Sequence, residues 1–122
     1  ERSPKLYPAA AEMVIAVTAL NQKDSLFIAA SHGDYVEMAS PGVDILVAMP
    51  GRRYDFMSGT SMAAAHVSGI AALILEHNPD MSSDTLRQIL RSTAEDLGRK
   101  GRDNLFGAGR ANAYAAIKAA LK

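Results

Sequence analysis

The sequence predicts an α/β fold with a parallel sheet, a hairpin and three helices. Short apolar runs typical of strands occupy the first half of the chain, and longer helical patterns occupy the second half. With 122 residues, 48% of them hydrophobic, the chain can bury one modest core. No linker or internal repeat divides it, so residues 1–122 are predicted to form a single domain.

Five segments of the first half predict strands. Residues 13–19 are a continuous apolar run rich in β-branched side chains, which favours a strand buried on both faces of a parallel sheet. After a polar turn, residues 25–30 predict a short strand and residues 35–38 a second parallel one. Residues 45–48 and 53–57 flank Met49-Pro50-Gly51-Arg52 and predict the hairpin.

Three helices are predicted in the second half. The first begins at Ser61 and runs to about Glu76, ending before Asn78-Pro79. Ser82 or Ser83 is a suitable N-cap for a helix to about Glu95. After a glycine-rich loop, residues 111–121 predict an alanine-rich helix. The first helix is apolar around nearly its whole circumference, which indicates that it must be enclosed on all sides.

The most informative segment is Ser58-Gly59-Thr60-Ser61-Met62-Ala63-Ala64-Ala65-His66-Val67-Ser68-Gly69. Its small residues deliver one serine to the first turn of a helix, where free N–H groups can bind a developing negative charge. The segment resembles the nucleophile motif of the subtilisin-like serine peptidases. Ala65 departs from that motif, in which many members have proline.

The resemblance extends over nearly the whole chain from about Tyr7. Residues 33–45, with Pro41-Gly42, are similar to the Ala-Pro-Gly segment of the family, although Ser40 replaces the usual alanine. Residues 106–113 are similar to its closing glycine-rich element. The resemblance therefore implies the C-terminal portion of a subtilisin-like three-layer fold, one part of an incomplete peptidase domain.

The same resemblance implies roles for individual residues. Ser61 is the nucleophile, and its backbone N–H is one donor of the oxyanion hole. Gly59, Thr60 and His66 support the motif. Tyr7, Pro8 and Ala9 border the primary specificity pocket, whose other wall is absent from this chain, so the substrate preference cannot be predicted.

The partners of Ser61 are expected outside the chain. The family's triad runs Asp, His, Ser along the sequence, but the 60 residues before Ser61 contain neither the family's Asp-Thr-Gly nor its His-Gly-Thr-His segment. The asparagine of the oxyanion hole is also missing. We therefore expect the parent protein, the longer chain that the resemblance implies, to supply all three.

No histidine of the chain is expected to replace the missing base. His66 lies five positions after Ser61, so on a helix it points roughly 140° away. It is expected to be a buried structural histidine. His32 is predicted to lie in a turn, and His77 to interact with the C-terminal dipole of the first helix.

Composition excludes several classes of partner and cofactor. Thirteen basic and thirteen acidic residues cancel, which argues against a nucleic-acid or anionic-membrane binder, and no apolar run could span a bilayer. There is no cysteine, which is consistent with a secreted or periplasmic protein. The chemistry needs no cofactor. Calcium often stabilises members of the family, but no metal site is predicted here.

Two alternatives remain open at this stage: a catalytically inactive interaction module of the same fold, and an α/β module that binds a phosphate or carboxylate at the start of the first helix. For a peptidase, the partners are a polypeptide substrate and the N-terminal part of the domain. The chain alone is expected to be inactive. It is also expected to form a homo-oligomer, because an unpaired strand edge and the uncovered helix would both be exposed.

Overall fold

The computed structural model describes residues 4–121 and contains both helices and strands, as predicted. The elements follow one another as β1 (Val17–Leu20), β2 (Met38–Pro41), β3 (Ile45–Met49), β4 (Arg53–Met57), α1 (Thr60–His77), α2 (Ser83–Ser92) and α3 (Ala113–Ala120). β1 and β2 form a parallel pair, and β3 and β4 an antiparallel one.

The parallel pair is shorter and further along the chain than predicted. β1 pairs with β2 from Val17 opposite Met38 to Leu20 opposite Pro41. Residues 13–16 do not belong to the strand, since Val14 closes a turn on the carbonyl of Ala11 and the side chain of Met13 is exposed. The expected strand at residues 35–38 likewise begins only at Met38, because the preceding residues form a turn.

The strand predicted at residues 25–30 is also wrong. This segment makes a single bridge, between Leu26 and Leu20, and then turns, with the Ala30 N–H donating to the carbonyl of Phe27. The side chain of Asn21 accepts hydrogen bonds from the N–H groups of Lys23 and Ser25, which fixes the bend before it. Local side-chain bonding of this kind competes with strand pairing.

The hairpin is confirmed. β3 and β4 pair from Ile45 opposite Met57 to Met49 opposite Arg53. Three residues form its tip, where Gly51 and Arg52 both have positive φ angles, of 81° and 58°. Ile45 and Val47 of β3 line a groove together with residues of α1, whereas Leu46, Tyr54 and Phe56 are exposed.

The core lies between the parallel pair and the three helices. α1 buries the face that carries Ala63, Val67, Ile70 and Ile74. Met38 of β2, Leu86 and Leu90 of α2 and Ala116 of α3 complete the cluster. The expectation that α1 is enclosed on all sides is not met in this chain, because its opposite face, with Leu73 45% exposed, is open.

Side-chain caps explain where the two shorter helices begin. The Ser82 hydroxyl accepts a hydrogen bond from the N–H of Thr85, and the Asn112 side chain accepts one from Ala115. α2 ends at Ser92 rather than near Glu95, because the Thr93 hydroxyl bonds the carbonyl of Ile89 and Glu95 pairs with Arg110 through two backbone hydrogen bonds.

Candidate active site

The structure places Ser61 where the sequence predicted it. Gly59 is the N-cap of α1 and Ser61 is its second residue, with an exposed side chain. The carbonyl of Gly59 accepts hydrogen bonds from the N–H groups of Met62 and Ala63. The N–H of Ser61 is among the first N–H groups of the helix, which have no partner within it, so it is available to a ligand.

Two contacts from the loop after β2 fix the turn that carries Ser61. The N–H of Gly59 donates to the carbonyl of Gly42 at 2.7 Å. The Ser58 hydroxyl accepts a hydrogen bond from the N–H of Asp44 at 2.9 Å. Gly59 itself has extended dihedral angles, with φ 161° and ψ 161°, which other residues also adopt. Its role in the turn is therefore the backbone hydrogen bond rather than an unusual conformation.

A cleft lies directly beside this turn. Its volume is about 310 Å³, and its walls include Leu6, Ala9, Tyr35, Val36 and Thr60. The structure thus brings Thr60, the neighbour of Ser61, onto the same cleft as Ala9 from the predicted pocket border. A cleft of this size has room for one side chain of a ligand beside Ser61.

The other two border residues do not line that cleft. Tyr7 precedes Pro8 through a cis peptide bond, and its side chain is 74% exposed. Of the three residues predicted for the border, Ala9 alone is among the residues that form the cleft wall.

The prediction that His66 is buried is wrong for this chain. Its side chain is exposed, and its Nδ1 lies 3.0 Å from the carbonyl oxygen of Met62, one turn earlier in α1. It lines a groove of about 430 Å³ between α1 and β3, together with apolar residues such as Ile45, Val47 and Leu73. His66 is exposed because no described residue packs over this groove.

The other two histidines lie at the end of α1 and in the loop before Gly33. His77 is the last residue of α1, and its Nδ1 lies 3.0 Å from the Leu73 carbonyl, which confirms its predicted place at the helix end. His32 is half-buried in the loop before Gly33, in the region where a turn was predicted.

An ion cluster that the sequence did not reveal fixes the closing segment. The guanidinium of Arg110 donates to both carboxylate oxygens of Asp24, at 2.7 and 2.6 Å, and also to Glu95. Hydrogen bonds from the guanidinium to Glu95 and to Asp24 raise the pKa of Arg110 above its ordinary value. Since Ala39 bridges Arg110 through the backbone, the cluster supports the end of β2 that leads to Gly42.

Neither a metal cluster nor a membrane-spanning helix occurs in the part of the chain that the structure describes. Within residues 4–121 no group of three or more His, Asp or Glu side chains is arranged to hold a metal ion. The same residues include no helix with the length and apolar character needed to cross a bilayer.

Comparison with known proteins decides the family. The family model described as the subtilase family, peptidase S8, matches residues 1–109. The chain belongs to the subtilase family.

Its relatives agree with this assignment. The subtilase chain is 41% identical over 110 residues to the "Thermophilic serine proteinase" of Bacillus sp. (strain AK1), covering 90% of this chain and 26% of that protein. It is 40% identical over 111 residues to the "Halolysin-like extracellular serine protease Nep" of Natrialba magadii, covering 91% of this chain and 20% of the relative.

A solved structure confirms the fold. The crystal structure of fervidolysin from Fervidobacterium pennivorans, described as a keratinolytic enzyme related to subtilisin, superposes with a TM-score of 0.82 at 32% identity. It matches 92% of this chain and 20% of the fervidolysin chain. This subtilase chain therefore spans a fifth to about a quarter of the length of these proteins.

Proposed function

We propose that the parent protein of this chain is a serine endopeptidase and that Ser61 is its nucleophile. The observation that carries the proposal is the position of Ser61, exposed on the first turn of α1 and adjacent to a cleft that Thr60 helps to line. Membership of the subtilase family and the names of the relatives, a serine proteinase and a serine protease, support it.

The chemistry follows from the residue types. The Ser61 hydroxyl attacks the scissile carbonyl while a histidine takes its proton, and an aspartate orients that histidine. The N–H of Ser61 and an asparagine side chain hydrogen-bond the oxyanion as it forms. Water then hydrolyses the acyl-enzyme. The histidine, the aspartate and the asparagine belong to residues outside this chain, so the chain alone is inactive.

We also propose which cofactors, partners and location the parent protein has. The reaction uses no metal or organic cofactor, and no calcium site of the parent is assigned among the described residues. The partners are a polypeptide substrate and the N-terminal part of the same domain, with no nucleic acid and no membrane. The name of one relative includes the word extracellular, which supports a secreted or periplasmic location.

A single substitution with a matched control tests this function. Ser61→Ala in the parent protein should lower the hydrolysis of an unfolded polypeptide by roughly a thousandfold or more, because the nucleophile is lost. Ser68→Ala is the control, since Ser68 is exposed on the same helix and its hydroxyl bonds only the Ala64 carbonyl of its own turn among the contacts described. Equal activity of the two variants, or an inactive parent, would contradict the proposal and favour an interaction module.

A further inference from the structure

The part of the cleft wall that carries Leu6 and Ala9 belongs to a chain of turns. The N–H of Ala10 donates to the carbonyl of Leu6, Ala11 donates to Pro8, and Val14 donates to Ala11, at 2.8 to 3.0 Å. These hydrogen bonds are all local, and most of the residues between Leu6 and Val14 are at least partly exposed. Local turns do not fix the position of the wall relative to the body of the protein, so a long-range contact has to do so.

One arginine with a mostly buried side chain makes that contact. Arg87, on α2, donates through its Nη1 to the carbonyl of Glu12 at 2.9 Å, across 75 positions of sequence. Its side chain is only 17% exposed. Another cation near this region, Lys5, lies 3.8 Å from Asp34 in an exposed pair, which contributes little to stability.

Arg87 is oriented by a buried carboxylate. The Oε1 atom of Glu37 lies 3.3 Å from Nε of Arg87 and 2.6 Å from Nε of Arg91, and the Glu37 side chain is 7% exposed. Neither N–H points at the oxygen well enough to make a hydrogen bond, so the contacts are ion pairs. A buried charge must be paired, and this pairing holds the Arg87 guanidinium near Glu12.

Among residues 4–121, neither Arg91 nor Arg102 is placed to replace Arg87. Arg91 contacts the same carboxylate from one helical turn further on but makes no described contact with Glu12. Arg102 already donates to the carbonyls of Asp34 and Val36, at 2.8 and 2.9 Å. Among the described contacts, the bond from Arg87 is therefore the hydrogen bond that joins these turns to α2.

We propose that Arg87 is a positioning residue for the substrate cleft, acting through Glu12 on the wall that carries Leu6 and Ala9. This inference rests on the proposed function only in that the cleft holds a substrate side chain. Because the turn with Ser61 is attached separately, through Gly42 and Asp44, loss of Arg87 should disturb binding of the side chain more than the chemistry.

Hydrogen exchange of the 122-residue chain tests the positioning without any need for activity. Arg87→Met should speed exchange of the Ala10, Ala11 and Val14 amides by roughly tenfold relative to the Ile74 amide in the core, since a less anchored segment opens more often. Arg91→Met is the matched control. It removes the other ion pair of Glu37 but leaves the bond to Glu12, so these amides should exchange as in the unchanged chain.

Arg87→Lys keeps one positive charge and a donor, so its exchange should lie between those of the unchanged chain and Arg87→Met. This variant, compared with Arg91→Lys, carries the test if Arg87→Met does not fold. Unchanged exchange in Arg87→Met, or an equal effect of Arg91→Met, would overturn the proposal, because the second result would place the cause in the charge of Glu37 rather than in the bond to Glu12.

Kinetics of the parent protein provide the functional readout. For substrates whose side chain fills the cleft, Arg87→Met should raise KM by roughly tenfold, the scale on which a poorly fitting pocket discriminates. The kcat should change by less than about threefold, and Arg91→Met should alter neither constant. A fall in kcat with KM unchanged would contradict the assigned role. If the parent hydrolyses nothing, the proposed function fails while the exchange result still stands.

Discussion

Adding one methyl group to Gly42 should disrupt both the core and the turn that carries Ser61. A Cβ atom at this position would lie 2.7 Å from Cβ of Ala19, 2.8 Å from the carbonyl oxygen of Gly59 and 3.1 Å from Cβ of Ala63. Ala19 and Ala63 are both fully buried. None of the three atoms belongs to a side chain that can rotate away, so the backbone of β1, of α1 or of the turn must move.

The cost can be estimated from this geometry. Forcing extra methyl groups into a packed core costs about 1–3 kcal/mol, and two contacts below 3.0 Å place Gly42→Ala at the upper end, about 2–3 kcal/mol. Backbone strain adds nothing to this cost, because Gly42 does not have a positive φ angle. Displacement of the turn should also weaken the bond between the Gly59 N–H and the Gly42 carbonyl.

Urea denaturation of the 122-residue chain, followed by circular dichroism, measures the effect. Gly69→Ala is the control: no atom lies within 4 Å of a Cβ at that position, which is inside α1, so this change should stabilise the chain by about 0.5–1 kcal/mol. The reasoning is refuted if Gly42→Ala unfolds within about 0.5 kcal/mol of the unchanged chain, because the surrounding backbone would then be freer than its packing implies.

Two further predictions concern assembly and the ion cluster. The isolated chain should be a homo-oligomer at low micromolar concentration, since exposed apolar surface on α1 and the hairpin favours association; light scattering that gives the mass of one chain, with a cooperative melt, would contradict this. Arg110→Met should lower the free energy of unfolding by about 1–2 kcal/mol, a discounted value because the pair is partly exposed. Because folding raises the pKa of Arg110, its contribution to the free energy of unfolding is fully present below the ordinary arginine pKa. That contribution is lost only as pH rises through the raised pKa. The difference in the free energy of unfolding between Arg110→Met and the unchanged chain should therefore show no slope from Arg110 across the neutral range.

The sequence predicted the helices and the hairpin well because their signals are local. Ser82 caps α2 through its own first turn, and the hairpin tip needs only the three residues at its end, two of which have positive φ. The parallel strands were misplaced because apolar character alone does not say where pairing begins. The carbonyl of Ala16 already accepts hydrogen bonds from Glu37 and Met38, yet residues 11–14 form turns and bends.

In the candidate site, too, the local features were predictable from the sequence and the long-range contacts were not. The placement of Ser61 follows from a contiguous motif, whereas the bonds that hold its surroundings join distant residues. Gly59 meets Gly42, and Arg87 meets Glu12 across 75 positions, so neither contact leaves a local pattern. The burial expected for His66 depended on cover that no described residue provides, which is why the expectation was wrong.

Covalent labelling with a fluorophosphonate tests most directly whether Ser61 is a nucleophile activated from outside this chain. Such reagents react with a serine whose proton a neighbouring base removes. Mass spectrometry should find rapid, stoichiometric modification of Ser61 in the parent protein and only background reaction in the 122-residue chain. Rapid labelling of Ser61 in the chain alone would contradict the account, as would a parent protein labelled at a different serine.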